Sequence, residues 1–331
     1  MEIVDILPWQ DEIRNRISDQ FLNQKLPHAF LFEGPAGVGK FEFARGLAQK
    51  FLCNRFLSDT NIAPCGSCTA CLLIKAGTHS DLRLIQPVDS KQIKIDQIRD
   101  LILWVGKTSL RNGLKITIVE PAEQMNQRSA NALLKCLEEP APNTMIMLLS
   151  SRAGSLLPTI RSRCQTVKFT IPSRNMALDW LSQTAPELED PELRLDIADG
   201  IPGLALSVSN DDLKIRLQIV EAMKSVMVEK GSALSAVRLF KKPNLESILL
   251  ICATLLADCV KLKLTKTDLV IKNKDIISEL STIANHCNVQ FLIAAYERIG
   301  RDLKSVRGPS NPNESLLFES LMIDLGRETL L

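Results

Sequence analysis

The stretch EGPAGVGKFEFA, residues 33–44, decides how the first half of the chain is interpreted. Residues 34–40 fit the phosphate-loop pattern G-x-x-x-x-G-K, in which backbone N–H groups converge on phosphates and the lysine reaches the outer ones. A serine or threonine should follow the lysine, because its hydroxyl binds Mg²⁺. The residue in that place is Phe41, whose side chain has no oxygen. Either the match is accidental, or this is a phosphate loop that has lost its metal ligand.

The sequence around the loop predicts an α/β domain. HAFLFEG, residues 28–34, is a short apolar strand that leads into the loop, and a helix is predicted from Gly39 to about Leu52. This strand–loop–helix order is the context that a phosphate-loop match requires. Further strands are predicted at 115–119, 144–151 and 165–170, and further helices at 9–24, 92–104 and 129–140. Apolar strands separated by helices are typical of a mostly parallel sheet covered on both faces.

The strand pattern ends near residue 170, and the remainder is predicted to be all-α. Residues 173–208 indicate a small helical domain, in which DGIPGLAL, residues 199–206, forms a turn between helices. Longer helices are predicted at 213–229, 245–262, 287–305 and 314–329. We therefore predict an α/β domain over residues 1–170, a small helical domain over 171–210 and a larger helical domain over 211–331.

The composition is that of an ordinary globular protein, with 45% hydrophobic and 24% charged residues among 331. A formal charge of +2 gives no general argument for nucleic-acid binding. The first residues, MEIVDILPWQ, lack the basic region and apolar stretch of a signal peptide. The longest apolar segment, residues 248–260, is too short to span a bilayer and contains Asp258. A cytoplasmic protein without membrane contact is expected, and in that reducing compartment clustered cysteines more often bind metal than form disulfides.

A cluster of cysteines predicts a metal site inside the first domain. The pattern C-x11-C-x2-C-x2-C is formed by Cys53, Cys65, Cys68 and Cys71. Four thiolates on a turn-forming stretch can surround one tetrahedral Zn²⁺, and a site of four thiolates is closed, so the zinc would be structural. His79 could replace one ligand, and the alternative is that these are scattered core cysteines. The remaining cysteines that we interpret as core residues are Cys136, Cys252, Cys259 and Cys287.

Several motifs follow the loop and the cysteines in a characteristic order. They are AGTHSDL at 76–82, SANALLKCLEEP at 129–140, TMIMLLSS at 144–151, TIRSRCQTVKF at 159–169 and SVRGPSNPNESLLFESLMIDL at 305–325. Together they resemble the delta-prime family of bacterial DNA polymerase III clamp-loader subunits, which belongs to the AAA+ ATPases. The resemblance covers nearly the whole chain, and its most specific parts are the Ser-Arg-Cys triplet and the four-cysteine knuckle. It implies an AAA+ α/β domain with a zinc-knuckle insertion over 53–71, a helical lid and a C-terminal helical collar for oligomerisation.

The resemblance also implies that the nucleotide site is degenerate. An active member needs a hydroxyl in place of Phe41 and an Asp-Glu pair where ITIVEPAE provides Glu120 and Pro121. The aspartate holds Mg²⁺ and the glutamate activates the attacking water, which a proline cannot do. The lid of an active member carries an arginine that reaches the outer phosphates, and the corresponding position is Gly203. Three coincident losses predict that the chain does not hydrolyse ATP itself.

Nucleotide binding is a separate question from hydrolysis. Gly34, Gly37, Gly39 and Lys40 are all present, so backbone donors and one positive charge could still hold phosphates. The missing metal contact weakens that case, and the sequence leaves ATP binding by the isolated chain open.

The Ser-Arg-Cys motif falls on Ser162, Arg163 and Cys164. In the family, its arginine reaches across a subunit interface toward the γ-phosphate bound next door. Such a finger accelerates hydrolysis by ~10³–10⁵-fold in well-studied GTPases. The alternative is that Arg163 is a surface arginine at a helix end, where cations are favoured. Arg161 is the nearest other candidate and is interpreted as structural.

The resemblance therefore implies an inactive scaffold in a hetero-oligomer rather than an isolated enzyme. Its partners would be the gamma/tau ATPase subunits and the delta subunit, and indirectly the sliding clamp and primed DNA. The classification as a DNA-directed DNA polymerase, a nucleotidyltransferase, would belong to the holoenzyme. The main alternative is an ATP-hydrolysing, gamma/tau-like motor subunit. A small-molecule kinase would leave the helical collar unexplained, and a zinc-dependent nucleic-acid binder lacks a basic, aromatic-rich knuckle.

Overall fold

A computed structural model describes most of the chain. The described residues are 7–58, 64–88, 90–110, 113–238, 240, 244–265, 271–307 and 312–327. Part of the predicted knuckle, 59–63, and part of the last family motif, 308–311, lie outside them, as do the ends of the chain at 1–6 and 328–331. The chain divides into two compact units, the first comprising Met1–Ala177 with Ile201–Leu204 and the second Leu178–Gly200 with Ala205–Leu331. The three-domain division stays a prediction.

A five-stranded parallel sheet forms the centre of the first unit. Its strands are β1 (Ala29–Glu33), β2 (Leu82–Ile85), β3 (Lys115–Val119), β4 (Thr144–Ser150) and β5 (Gln165–Lys168). They lie in the order β2-β3-β4-β1-β5, and every neighbouring pair is parallel. Because β1 lies between β4 and β5, the loop that follows β1 leaves the interior of the sheet rather than its edge.

The sheet is covered on both faces, which explains the nearly continuous apolar strands. β3 and β4 are buried along their whole length. Side chains alternate along β1, so that Phe30 and Phe32 enter one hydrophobic core while Ala29 and Leu31 enter the core on the opposite face. Parallel strands buried on both faces are expected to be apolar throughout.

Helices connect these strands. Those of the α/β region are α1 (Asp11–Leu22), α2 (Lys40–Leu52), α3 (Asn54–Ser58), α4 (Thr69–Lys75), α5 (Ile95–Val105), α6 (Gln127–Glu138) and α7 (Pro158–Arg161). The helix α6 begins where the Asn126 side chain accepts a hydrogen bond from the Ser129 backbone N–H, 2.9 Å away. The four predicted strands and the longer predicted helices are confirmed, with ends displaced by a few residues. β2, α3, α4 and α7 were not predicted.

The remainder of the chain is helical, as predicted. The segment 199–206 was predicted to be a turn throughout, which is wrong, because Pro202–Ser207 forms a helix that begins at a proline. Its helices are α8 (Arg174–Thr184), α9 (Pro191–Ile197), α10 (Pro202–Ser207), α11 (Asn210–Met227), α12 (Ala233–Val237), α13 (Leu245–Leu264), α14 (Ile277–His286), α15 (Val289–Arg307) and α16 (Glu314–Arg327). Within the described ranges, no helix has the length and apolar character needed to cross a membrane.

The core of the second unit includes α13, whose apolar sequence contains one fully buried acid. Asp258 accepts backbone hydrogen bonds from Lys272 and Asn273, each at 3.0 Å, and pairs with Lys261. A buried carboxylate is tolerated when its oxygens are satisfied in this way. Cys252 and Cys259, on the same helix, are buried as expected. The apolar segment 248–260 is therefore a core helix.

Candidate functional site

The phosphate-loop sequence occupies the predicted place between β1 and α2. Gly37 and Gly39 have φ values of +79° and +90°, a region of backbone conformation that favours glycine. Lys40 begins α2, but its side chain is turned back on its own loop. Its Nζ donates to the carbonyl oxygens of Gly34 at 2.7 Å and Pro35 at 2.6 Å, and the residue is 7% exposed. The loop therefore keeps a glycine-dependent shape while its lysine is engaged internally.

The segment Ile201–Leu204 lies directly on this loop. A Cβ added to Gly203 would stand 2.4 Å from the carbonyl oxygen of Gly37, so only glycine allows the approach. Ile201 and Leu204 also lie close to Gly37, where an added Cβ would meet their side chains at 3.1 and 2.7 Å. The position predicted to have lost the lid arginine is thus in van der Waals contact with the loop backbone.

The residues before α1 contact the other end of the loop. The Nε2 of Gln10 donates to the carbonyl oxygens of Val38 at 3.1 Å and Gly39 at 2.9 Å. The Nε1 of Trp9 also donates to Val38, at 3.1 Å. A side chain added at Gly39 would collide with Leu7. These contacts fix the loop through its carbonyl groups.

Phe41 fills the position of the missing hydroxyl. It is partly buried against the aromatic core on that face of the sheet. The guanidinium of Arg45 lies 5.6 Å from the centre of its ring, within the range of a cation–π contact. The side chain is accommodated by packing and offers no ligand to a metal.

Acidic residues lie near Lys40, both after the end of β3 and in the first turn of α2. Burial lowers the pKa of Lys40, and the nearby charges of Glu123, Glu120 and Glu42 oppose that effect. Burial also raises the pKa of Glu120, with a further contribution from Glu42. Pro121 follows Glu120 and has no proton-accepting side chain. The predicted positions of metal ligand and base are therefore adjacent to the loop, but the second is chemically inert.

Glu123 was missed by the sequence analysis. Its Oε1 accepts hydrogen bonds from the backbone N–H of Ser151 at 3.1 Å and from its hydroxyl at 2.6 Å. Ser151 stands immediately after β4, so this pair connects the segment that follows β3 with the end of β4. The acid stands only three residues after Glu120 in the same motif, which was the one signal available.

The four cysteines of the predicted metal site are brought together by α2, the turn at residues 64–68 and α4. The Sγ atoms of Cys53, Cys65, Cys68 and Cys71 all lie within 4.8 Å of one another. Cys53 Sγ lies 3.7 Å from Cys65 Sγ and 3.9 Å from Cys68 Sγ. A disulfide would require about 2.05 Å. The four thiols form one cluster without a covalent bond.

The cluster has the dimensions and hydrogen bonds of a zinc knuckle. Zn–S bonds of about 2.3 Å in a tetrahedron place sulfur atoms about 3.8 Å apart. Backbone N–H groups of Cys65, Cys68 and Cys71 point to the preceding sulfur atoms at 3.4, 3.3 and 3.5 Å. The N–H groups of Ser67 and Cys68 lower the pKa of the Cys65 thiol to about 6, which favours the thiolate form that binds metal, whereas burial raises the pKa of the Cys71 thiol. The residues present therefore fit Zn²⁺.

Arg163 lies on the short connection between α7 and β5. Its NH2 group is 2.8 Å from the Oε1 of Glu138, the last residue of α6, and its NH1 donates to the Thr159 carbonyl oxygen at 3.0 Å. The Arg163 side chain is 36% exposed and that of Glu138 49%. Burial raises the pKa of the adjacent Cys164 thiol to about 12. Arg161 is exposed.

Comparison with known proteins identifies the family. Two family models match: "DNA polymerase III, delta subunit" over residues 9–173 and "DNA polymerase III, delta subunit, C terminal" over 210–327. DNA polymerase III subunit delta' of Pseudomonas aeruginosa is 37% identical over 235 residues, which is 70% of each chain. Its counterpart in Haemophilus influenzae is 33% identical over 260 residues, 78% of each chain. The chain belongs to the delta-prime subunit family of DNA polymerase III.

Membership in the delta-prime family agrees with the resemblance seen in the motifs. The delta-prime subunit of Escherichia coli is 28% identical over 322 residues, 96% of this chain and 94% of that one, so the similarity reaches the C-terminal helices. The fold class is confirmed: a parallel sheet, with the loop after β1, is followed by an all-α part.

Proposed function

We propose that this delta-prime family member is an inactive AAA+ scaffold of the DNA polymerase III clamp loader. It supplies Arg163 in trans to the ATPase site of a neighbouring subunit and so helps to load the sliding clamp onto primed DNA. The observation that carries the proposal is a contrast within one unit. Arg163 is held on an accessible connection by Glu138 and Thr159. In the chain's own phosphate loop, by contrast, Lys40 donates to the loop's own carbonyl groups, and Gly203 packs against Gly37.

Absence of hydrolysis in cis follows from chemistry and from packing. Phe41 offers no Mg²⁺ ligand, and Pro121 offers no base to activate water. Lys40 already donates to two loop carbonyls, and Gly203 lies against the loop where the lid arginine of an active site would approach the phosphates. A substitution that corrects only one of these four positions would leave the other three obstacles to hydrolysis in place.

The proposed role of Arg163 is electrostatic. Hydrolysis forms a bond between the water oxygen and the γ-phosphorus and breaks the bond from that phosphorus to the bridging oxygen. The products are ADP, inorganic phosphate and a proton, which passes to a base in the neighbour's own site. Arg163 transfers no proton; its N–H groups stabilise the negative charge on the transferred group. An arginine suits this task because its planar guanidinium stays charged and can contact phosphate oxygens in pairs.

We propose that Cys53, Cys65, Cys68 and Cys71 hold one structural zinc ion. When bound, the metal would cross-link α2 to α4 and satisfy four thiolates at once. No ligand position remains for a substrate, so the metal would take no part in hydrolysis.

The proposed partners are the gamma/tau ATPase subunits and the delta subunit. The chain would contribute its α/β unit and its C-terminal helices to assembly with them, and it would act on the clamp and on DNA only through the complex. The polymerase activity itself would belong to the holoenzyme.

Steady-state ATP hydrolysis tests the proposal. The isolated chain, the complex reconstituted with gamma/tau and delta subunits, and the complex containing Arg163→Ala are compared in the presence of clamp and primed DNA. We expect no hydrolysis by the isolated chain, stimulated hydrolysis by the complex, and a reduced rate with Arg163→Ala at unchanged assembly. Arg161→Ala is the matched control, because it removes an exposed arginine two residues away. Metal-dependent hydrolysis by the isolated chain would instead support the motor-subunit alternative.

A further inference from the structure

We propose that Glu138 is a positioning residue for Arg163 in the trans reaction. This inference rests on the proposed function, because a positioning role has meaning only if Arg163 acts on a neighbour's nucleotide. Glu138 does not touch that nucleotide; it would act by holding the guanidinium in the orientation from which it reaches across the interface.

The contacts of Arg163 leave part of its hydrogen-bonding capacity available. A guanidinium has five N–H donors. One donor on NH1 is directed to the Thr159 carbonyl and one on NH2 to the Glu138 carboxylate. In the described structure, each terminal nitrogen therefore keeps a second N–H for a phosphate oxygen. The two contacts hold the plane of the guanidinium and leave these N–H donors available.

Stability of the fold does not account for this ion pair. Glu138 and Arg163 are both well exposed, and exposed pairs contribute little to folding. Glu138 is also the last residue of α6, and an acidic side chain near the C-terminus of a helix is disfavoured by the helix dipole. Thr159 alone would hold Arg163 by a single uncharged acceptor. The carboxylate adds a charge-assisted contact that orients the guanidinium.

Pre-orientation matters because arginine has many rotamers. A side chain that must be ordered at the moment of reaction loses conformational entropy, whereas one already held in place loses less. Removing Glu138 should therefore slow the chemical step at the neighbouring site without changing how that site binds ATP.

Four complexes test the inference: Glu138→Ala, Glu139→Ala, Arg163→Ala and the double variant Glu138→Ala/Arg163→Ala. Glu139 is the matched control, because it is the next residue, is exposed and carries the same charge. Each complex is checked for assembly by gel filtration, and kcat and KM for ATP are measured with clamp and primed DNA. We expect Glu138→Ala to lower kcat by about two- to five-fold at unchanged KM, as an exposed ion pair allows. Glu139→Ala should match the wild type.

The double variant distinguishes positioning from other effects. If Glu138 acts through Arg163, then Glu138→Ala causes no further loss once Arg163 is alanine. An equal additional loss in that background, or a rate for Glu138→Ala equal to that for Glu139→Ala, would overturn the positioning role while leaving the finger intact. If Arg163→Ala itself has no effect, the proposed function and this inference fail together. Glu138→Gln, which keeps the side-chain volume, provides the same comparison should the alanine variant assemble poorly.

Discussion

Phe41 stands where the phosphate-loop pattern expects a hydroxyl that binds Mg²⁺. The side chain lies against the aromatic core and under Arg45, so the position has been taken over by packing. The sequence alone shows that the hydroxyl is missing. It does not show that Lys40 is turned back to the carbonyls of Gly34 and Pro35, because that contact depends on the loop's three-dimensional shape.

Restoring the hydroxyl should not restore hydrolysis. In Phe41→Thr, Mg²⁺ would gain its usual protein ligand, but Pro121 would still provide no base and Gly203 would still lie on the loop. We expect the isolated variant to show no ATP turnover above the wild-type background. The measurement is phosphate release with Mg·ATP in excess, using an active gamma-type subunit as the positive control. Turnover by Phe41→Thr would mean that neither Pro121 nor Gly203 prevents hydrolysis.

The close packing of Ile201–Leu204 against Gly37 depends on Gly203. Alanine is normally the better helix former by about 1 kcal/mol, so Gly203→Ala in α10 would be favourable if only the helix mattered. An added Cβ would, however, collide with the Gly37 carbonyl oxygen at 2.4 Å. We expect destabilisation of about 1–3 kcal/mol, as for other overpacked sites. In thermal unfolding this corresponds to a Tm lower by about 2–4 °C for each kcal/mol.

The control for Gly203→Ala is Gly154→Ala, since a Cβ at Gly154 meets nothing within 4 Å. That variant should unfold at the wild-type temperature or slightly above it. Equal Tm values for Gly203→Ala and the wild type would show that Ile201–Leu204 does not rest on the loop in solution.

At the scale of elements, four of the five strands were predicted and β2 was missed. β3 and β4 are buried throughout, so their sequences read as continuous apolar runs. β2 is an edge strand containing Arg83, and Leu84 is 44% exposed, so it has neither a long apolar run nor strict alternation. The short helices α3 and α4 were missed because the turn-forming cysteine stretch hides any helical period.

The contacts that define the candidate sites were even harder to predict from the sequence. Gly203 and Gly37 are far apart in the sequence, and so are Glu138 and Arg163. Their proximity depends on how loops and helices pack, which a single sequence does not encode locally. The cysteine cluster was the exception, because metal ligands at short spacings must converge on one ion.

The elements α2 and α4 are proposed to be joined by zinc. We expect about one zinc per chain in the wild-type protein and its loss in Cys68→Ser. Hydrogen exchange in Thr69–Lys75 should then become faster, because that helix loses its connection to Cys53 at the end of α2. Cys164→Ser is the control, since Cys164 lies outside the cluster and should leave the zinc content unchanged. Full zinc content in Cys68→Ser would remove Cys68 from the proposed ligand set.

At the scale of the whole molecule, the two compact units have different parts in the proposal. The first contains the phosphate loop, the cysteine cluster and Arg163; the second is an all-helical core built largely from α11 and α13–α16. Family membership extends across both units. A chain that has Phe41 in place of the Mg²⁺-binding hydroxyl and keeps the partly exposed Arg163 agrees with the proposed role within a complex.

The most direct test of this central claim is a single-turnover measurement of ATP already bound to the reconstituted clamp loader. Clamp and primed DNA are added to complexes that contain wild-type, Arg161→Ala or Arg163→Ala chains, and the release of phosphate is followed in time. We expect Arg163→Ala to convert part of the fast phase into a phase slower by ~10³-fold, the lower end of the range for a trans arginine. The ATP occupancy at the start and the Arg161→Ala trace should equal the wild type. Superimposable traces for Arg163→Ala and the wild type would contradict the account, because no neighbouring site would then depend on this chain's arginine.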